Sequence, residues 1–491
     1  MLFNSYIFVL GFLPVALAGF FAASRFGRQP AGCWLVAASL VFYAWWNPAN
    51  LPVLLASVAG NFAVARLIGA TAARPRLQGA VLTGGIAANL AALAFYKYLA
   101  ALFALFAFAA PALPLGISFF TFTQIGYLID CREGLARDRS ALDYVLFVTF
   151  FPHLIAGPIL HNREVMPQFA DPATYRFDAH NLAVGISIFL IGLLKKCLFA
   201  DQIGAVVAPG FAQAETLAMA GAWLVALSYS LQLYFDFSGY SDMAIGLARM
   251  LNVRFPLNFN SPYKAQSVIE YWQRWHMSLT RWLTLFLYNP LALAIARRRP
   301  ALNRRTLPGF ASLVALPTIV TMGLAGLWHG CGLQFVVFGL LHASYLTINQ
   351  AGRTWRRRPP ADSRVAVARR VLVTYLAVLV GAVFFRAASV GQALAMLAGM
   401  AGLHGVAFAW PDLSVVRHIA WMVALYAVVW GAPNTQQIMR AHGPALGKVL
   451  PGPLPRLAWQ PTLRWAVAFG CATTLGLLSI GGTGEFLYFQ F

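Results

Sequence analysis

The chain has 491 residues, 60% of them hydrophobic and only 10% charged, with a mean hydropathy of +0.67. No soluble domain of this length hides so much apolar side chain, so composition excludes a water-soluble globular protein and points to an integral membrane protein. The formal net charge is +21, but the basic residues sit in short connections such as "RRRPALNRR" (297–305) and "RTWRRRPP" (353–360). Such clusters mark cytoplasmic loops facing anionic lipid headgroups, and nucleic acid is excluded as the main partner.

The first apolar run, 5–24, has no Lys or Arg before it and is followed by Arg25 and Arg28. That pattern is a retained first helix with its C-terminal end in the cytoplasm, not a cleaved signal peptide. Further runs lie near 33–46, 51–70, 79–96, 99–113, 115–130, 143–160, 180–200, 217–235, 308–327, 332–349, 371–388, 415–432 and 464–481. A span needs ~20 apolar residues, and several runs are too short or too broken by Pro and Gly to cross. The expectation is an all-α polytopic protein with about eleven transmembrane helices plus re-entrant or interfacial pieces. Strand-like alternation is missing, which argues against a barrel. No repeat or long polar domain divides residues 1–491, so they read as one membrane domain. The five cysteines, Cys33, Cys131, Cys197, Cys331 and Cys471, are scattered without CxxC spacing. They read as small buried apolar residues and not as a disulfide or zinc framework.

Polar residues concentrate in the middle of the chain. "FFPHLIAGPIL" (150–160) breaks at a Gly-Pro pair, so His153 and His161 are expected at a cavity mouth or interface. "LYFDFSGYSDMAIG" (233–246) holds Asp236, Ser238, Tyr240, Ser241 and Asp242 within seven residues. On a helix these give two polar edges, able to support a tunnel wall or to lock helices together. In "VIEYWQRWHMSLTRWLTLF" (268–286), Val268, Trp272, Trp275, Leu279, Trp282 and Phe286 recur at steps of four and three. This predicts one amphipathic helix in the headgroup plane, with Glu270 and Arg274 paired at i,i+4 on its polar face and His276 on its border.

"GLAGLWHGCG" (323–332) then places His329 among four glycines, where two helices meet inside sequence oily enough for lipid. A titratable group is costly there and functional by default. Neutral imidazole can take a proton from a hydroxyl and return it, which makes His329 a candidate general base and His276 a candidate orienting or charge-stabilising group. A metal site built from Asp236, His276 and His329 lacks diagnostic spacing, and no metal or bound cofactor is expected. Cys331 lies at i,i+2 from His329 and faces away from it on a helix.

Three stretches carry a family resemblance: "YFDFSGYSDMAIGLARMLNVRFPLNFNSPY", "YWQRWHMSLTRWL" and "GLWHGCGLQFVVFGLLHASYL". In this order they resemble the membrane-bound O-acyltransferases, in particular the bacterial alginate O-acetyltransferase-like branch. "PLGISFFTFTQIGYLID" (114–130) and the terminal "FLYFQF" (486–491) look like the same branch. The match covers a core of about 95–350; the C-terminal helices and tail occupy 371–491. The resemblance implies a ring of helices around a central tunnel, with His329 catalytic and His276 the second functional position. Trp275 and Trp328 beside them belong to the tunnel wall. It further implies acetyl transfer from a cytoplasmic acyl thioester such as acetyl-CoA toward hydroxyls of an exported polysaccharide. An export-side acyltransferase would be the partner, and the location a bacterial inner membrane. D-alanyl transfer to teichoic acid is the cousin activity. A conduit, transporter or scaffold without chemistry is the competing class, although no two-fold repeat supports a transporter. The chain departs from the branch at 283–299, where "LTLFLYNPLALAIARRR" has no acidic residue and no double glycine, and at Cys331, where alanine is common. Tyr488 follows the final apolar run, and no Lys or Arg follows Arg464. Tyr488 is therefore expected outside, as an acyl relay from the His329 site or as part of an aromatic belt.

Overall fold

The computed structural model describes residues 1–99, 113–136, 140–356, 362–406, 412–481 and 487. Every extended regular element among them is helical; the only β pairing is an isolated bridge between Pro256 and Leu446. Eight helices among the described residues are long and apolar enough to cross a membrane: Ile7–Ser24, Pro48–Ala70, Pro75–Leu99, Ala179–Ala212, Met277–Arg298, Leu307–His329, Arg364–Arg386 and Leu413–Gly431. The expected run at 99–113 lies almost wholly outside the described residues.

Helix starts follow cap chemistry. Asp178 accepts from the backbone N–H groups of His180 and Asn181, Ser363 from Ala366, and Asp412 from Val415. Each satisfies donors that a helix start leaves without an intrahelical partner. The expected span at 143–160 is instead the short helix Ala141–Thr149, a single turn Phe151–Leu154, and a buried non-helical return to His161. Pro152 and the Gly157-Pro158 pair prevent a continuous helix, and irregular backbone survives here because protein surrounds it. His153 is not at a mouth. It is 3% exposed, and its Nε2 lies 2.8 Å from the Phe147 carbonyl. His161 is equally buried, its ring 5.7 Å from that of Phe286.

The run at 217–235 extends into one helix, Met219–Met250, 32 residues long. At 1.5 Å per residue it spans ~48 Å, more than the hydrocarbon core. From Ser228 onward nearly every residue is buried, so this helix is an internal pillar. It packs against Ala179–Leu194 through two glycine pairs. A methyl group built on Gly185 would lie 2.6 Å from the Gly246 carbonyl oxygen, and one on Gly192 would lie 2.6 Å from that of Gly239. Both pairs fall seven residues apart on each helix, as an antiparallel crossing requires. Small residues allow such approach where lipid offers no hydrophobic drive between helices.

Candidate active site

The helix Leu316–His329 ends on His329, and the next begins at Leu333. The two are held together by Gly326 and Gly339: a Cβ on Gly326 would meet the Phe335 carbonyl oxygen at 2.3 Å, and one on Gly339 that of Met322 at 2.4 Å. The expected close glycine packing is present, with Gly339 as its partner. The last carbonyls of the first helix have no partners within it. The Lys97 ammonium donates to the Trp328 carbonyl, and the Tyr98 hydroxyl donates to that of Leu327 at 2.6 Å. These two residues form an external cap that fixes the turn carrying His329. The imidazole is 4% exposed and sits edge-on to Phe385 and Phe338, with ring centroids 4.9 and 5.9 Å away.

The segment around His276 is not the single interfacial helix its periodicity predicts. It breaks into Val268–Trp272 and Met277–Leu283, with His276 between them at φ 43°. The left-handed region is strained for a residue with a Cβ and persists where surroundings over-determine it. Here Asn260 N–H donates to the Arg274 carbonyl and Met277 N–H to that of Asn258, each at 2.9 Å. The tryptophan stripe meets protein and not headgroups: Trp272, Trp275 and Trp282 are 5–7% exposed. The Trp282 indole stacks on Phe122 at 4.0 Å and donates to the Phe122 carbonyl. The expected Glu270–Arg274 pair is present at 2.6 Å.

Asn258 sets the protonation of His276. Its amide oxygen receives the Ser278 backbone N–H at 3.3 Å and the Ser278 hydroxyl at 2.9 Å, while its amide nitrogen donates to Ser241 Oγ at 3.0 Å. A backbone N–H can only donate, so this side of the amide is the acceptor. His276 Nδ1, 3.0 Å from the same oxygen, therefore carries the proton. In the neutral ring Nε2 then holds a lone pair.

One cavity is lined by both His276 and His329, and by Trp275, Tyr263 and Tyr271. A third imidazole, His342, lines it as well. Trp272 Nε1–H donates to His342 Nδ1 at 3.2 Å, so His342 carries its proton on Nε2. Lys97, His276 and His342 all lie within electrostatic reach of His329. Sequence reasoning passed over His342 and Lys97, although each is a titratable residue in an apolar run, a signal that marks function in membranes. Two other cavities adjoin. An apolar one shares Leu279 with the central cavity and reaches Trp328, and a more polar one shares Trp272 and extends to Gln273, Tyr288 and Gln350.

The polar island does not line the central cavity. Asp236 and Asp242 pair with Lys196 and Lys195 at 2.7 and 2.6 Å, Asp242 also accepts from Thr435 and Gln436, and Tyr240 stacks on Phe3 at 4.7 Å. Ser238 is buried. These residues lock elements around the site. Trp328 lines the apolar side cavity, stacked on Phe122 at 5.1 Å. Tyr488 lies outside the described residues. No group of three His, Cys, Asp or Glu side chains among the described residues is placed to hold a metal ion.

A multi-pass helical protein that buries three imidazoles in one cavity, two of them with fixed and opposite tautomers, has the equipment of an intramembrane proton-transfer and group-transfer catalyst. The family model for MBOAT, the membrane-bound O-acyltransferase family, matches residues 129–389. The chain is 39% identical to the peptidoglycan O-acetyltransferase of Helicobacter pylori over 83% of this chain and 81% of that protein. It is 34% identical to the "Probable alginate O-acetylase AlgI" of Azotobacter vinelandii over 100% of both. It is also similar to the teichoic acid D-alanyltransferase of Streptococcus thermophilus, at 28% identity over 50% of this chain and 58% of the other. The chain belongs to the membrane-bound O-acyltransferase family, and its activity is that of a membrane O-acyltransferase.

Proposed function

We propose that this protein moves an acetyl group from a cytoplasmic acyl thioester, acetyl-CoA, toward hydroxyls of an exported cell-surface polysaccharide. The relatives named for peptidoglycan and alginate acetylation support that substrate class. The setting is a bacterial inner membrane, with about eleven helices surrounding a central tunnel and an export-side acyltransferase completing delivery. In this reading all of residues 1–491 work as one acyltransferase domain.

The observation that carries the mechanism is the shared cavity of His276 and His329, which come from separate elements. His329 takes the proton of the incoming hydroxyl as its oxygen attacks the thioester carbonyl carbon. The tetrahedral species collapses, the C–S bond breaks, and the imidazolium returns the proton to the departing thiolate. Neutral His276 has its lone pair on Nε2, so it accepts a hydrogen bond and suits orientation of an N–H or O–H donor on the bound substrates other than the hydroxyl that His329 deprotonates. His342 Nε2–H is a donor and suits the developing oxyanion. Tyr488 is the hydroxyl that first receives the acetyl group and relays it outward.

The test compares a deletion strain complemented with wild type or with His329→Ala, at matched membrane levels, reading ester-linked acetyl on surface polysaccharide by proton NMR. Loss of the signal with the variant is expected. A retained signal, where deletion itself removes it, would leave the protein a conduit or scaffold.

A further inference from the structure

Adjacent lysines lie in the π-helical segment Lys195–Ala200, and each reaches a carboxylate on the pillar helix Met219–Met250. The Lys195–Asp242 pair also holds Thr435 and Gln436, so it ties down the segment after the helix Leu413–Gly431. The Lys196–Asp236 pair is built differently. Lys196 Nζ lies 2.7 Å from Asp236 Oδ1 and 2.7 Å from Asp201 Oδ1, so two carboxylates share one ammonium. Asp236 is 1% exposed, and a buried carboxylate with half a counter-ion needs a further donor. That donor is the backbone N–H of Leu487, 2.9 Å from Asp236 Oδ2 and 251 positions along the chain. The Leu487 residue is itself 6% exposed. The N-terminus converges on the same region: Phe3 stacks on Tyr240, one turn beyond Asp236, and the Tyr6 hydroxyl donates to the Leu477 carbonyl at 2.7 Å.

We propose that the Lys196–Asp236 pair is the docking point for Leu487, and that Asp236 is a positioning residue fixing where Leu487 is held against the core. Recognition is through main chain, so the carboxylate accepts an N–H whatever the side chain, and the buried Leu487 side chain adds the apolar contact. The clamp stands on the Leu487 contact and does not need Tyr488 to carry an acyl group. If the relay operates, the clamp anchors the residue immediately before it.

The experiment uses the full chain in lipid nanodiscs, exposed to a carboxypeptidase, with residues lost from the C-terminus followed by intact mass. In wild type, trimming is expected to slow at Leu487. Asp236→Ala should release Leu487 at least about tenfold faster, the scale of a lost hydrogen bond to a charged group. Asp236→Asn keeps an acceptor without the charge and should fall between the two, a rescue that general loosening would not give. Asp242→Asn, in the neighbouring lock, should trim like wild type. Equal trimming of Asp236→Ala and wild type overturns the proposal, as does Asp242→Asn trimming as fast as Asp236→Ala. If Asp236→Ala fails to reach the membrane, Asp236→Asn decides, and a wild-type rate for it overturns the clamp. A wild-type transfer rate in Tyr488→Phe would remove the relay and leave this result untouched.

Discussion

Replacing Asn258 by alanine should disable transfer without removing the fold, because the amide sets which nitrogen of His276 bears the proton. The substitution removes the acceptor of three buried donors: the His276 Nδ1–H, the Ser278 backbone N–H and the Ser278 hydroxyl, which can rotate. Each unsatisfied donor costs about 1–3 kcal/mol. The Ser278 N–H cannot move, but the imidazole escapes its share by shifting its proton to Nε2. A penalty of about 1.4 kcal/mol already changes a tautomer ratio tenfold. With Nε2 protonated, the lone pair leaves the cavity side of the ring, and kcat should fall about ten- to hundredfold with a much smaller change in KM. Asn258→Asp keeps an acceptor facing these donors and should retain more activity than alanine. The assay is ester formation by purified protein in proteoliposomes with an acetyl thioester donor, at matched protein amount. If Asn258→Ala kept more than half of wild-type turnover, the tautomer of His276 would be irrelevant to catalysis.

Lys97→Met removes the cation capping the carbonyl end of the His329 helix while keeping an unbranched side chain one atom shorter. Turnover should drop about tenfold or more, with helicity by circular dichroism unchanged; an unaltered rate would make the cap incidental. Gly326→Ala places a methyl group 2.3 Å from the Phe335 carbonyl oxygen, so the two helices must part and His329 must move. About 1–3 kcal/mol of stability should be lost together with most activity, and an unshifted melting temperature would contradict the packing. Tyr488→Phe keeps the ring and loses only the nucleophile, so it should abolish transfer to the polysaccharide; full retention would refute the relay.

Much of the site is legible in the sequence because membranes penalise polar groups. His329 stands out within "GLAGLWHGCG", and Asp236 and Asp242 within the 233–246 island, since each is an ionisable or polar group set in apolar sequence. Apart from the family resemblance, His276 shows only as the border of a stripe. Its periodicity misleads, because a helix packed into protein and a helix lying on a membrane bury the same apolar face. What breaks the helix at His276 is the distant Asn258–Asn260 segment, a contact that no local pattern encodes.

Composition and hydropathy by themselves determined that the chain lives in a membrane, that it is helical, and that His329 sits where an ionisable group needs a reason. These follow from one-dimensional facts: the length of apolar runs and the cost of burying charge. Tertiary structure alone decided that His276, His329 and His342 share one cavity, and which ring nitrogens of His276 and His342 hold protons. It also decided that Asp236 and Asp242 serve as locks, standing apart from the cavity wall. Hydrogen-bond partners come from segments distant in the chain, Asn258 to His276, Trp272 to His342 and Leu487 to Asp236, and only the folded backbone brings such groups within 3 Å or so of one another.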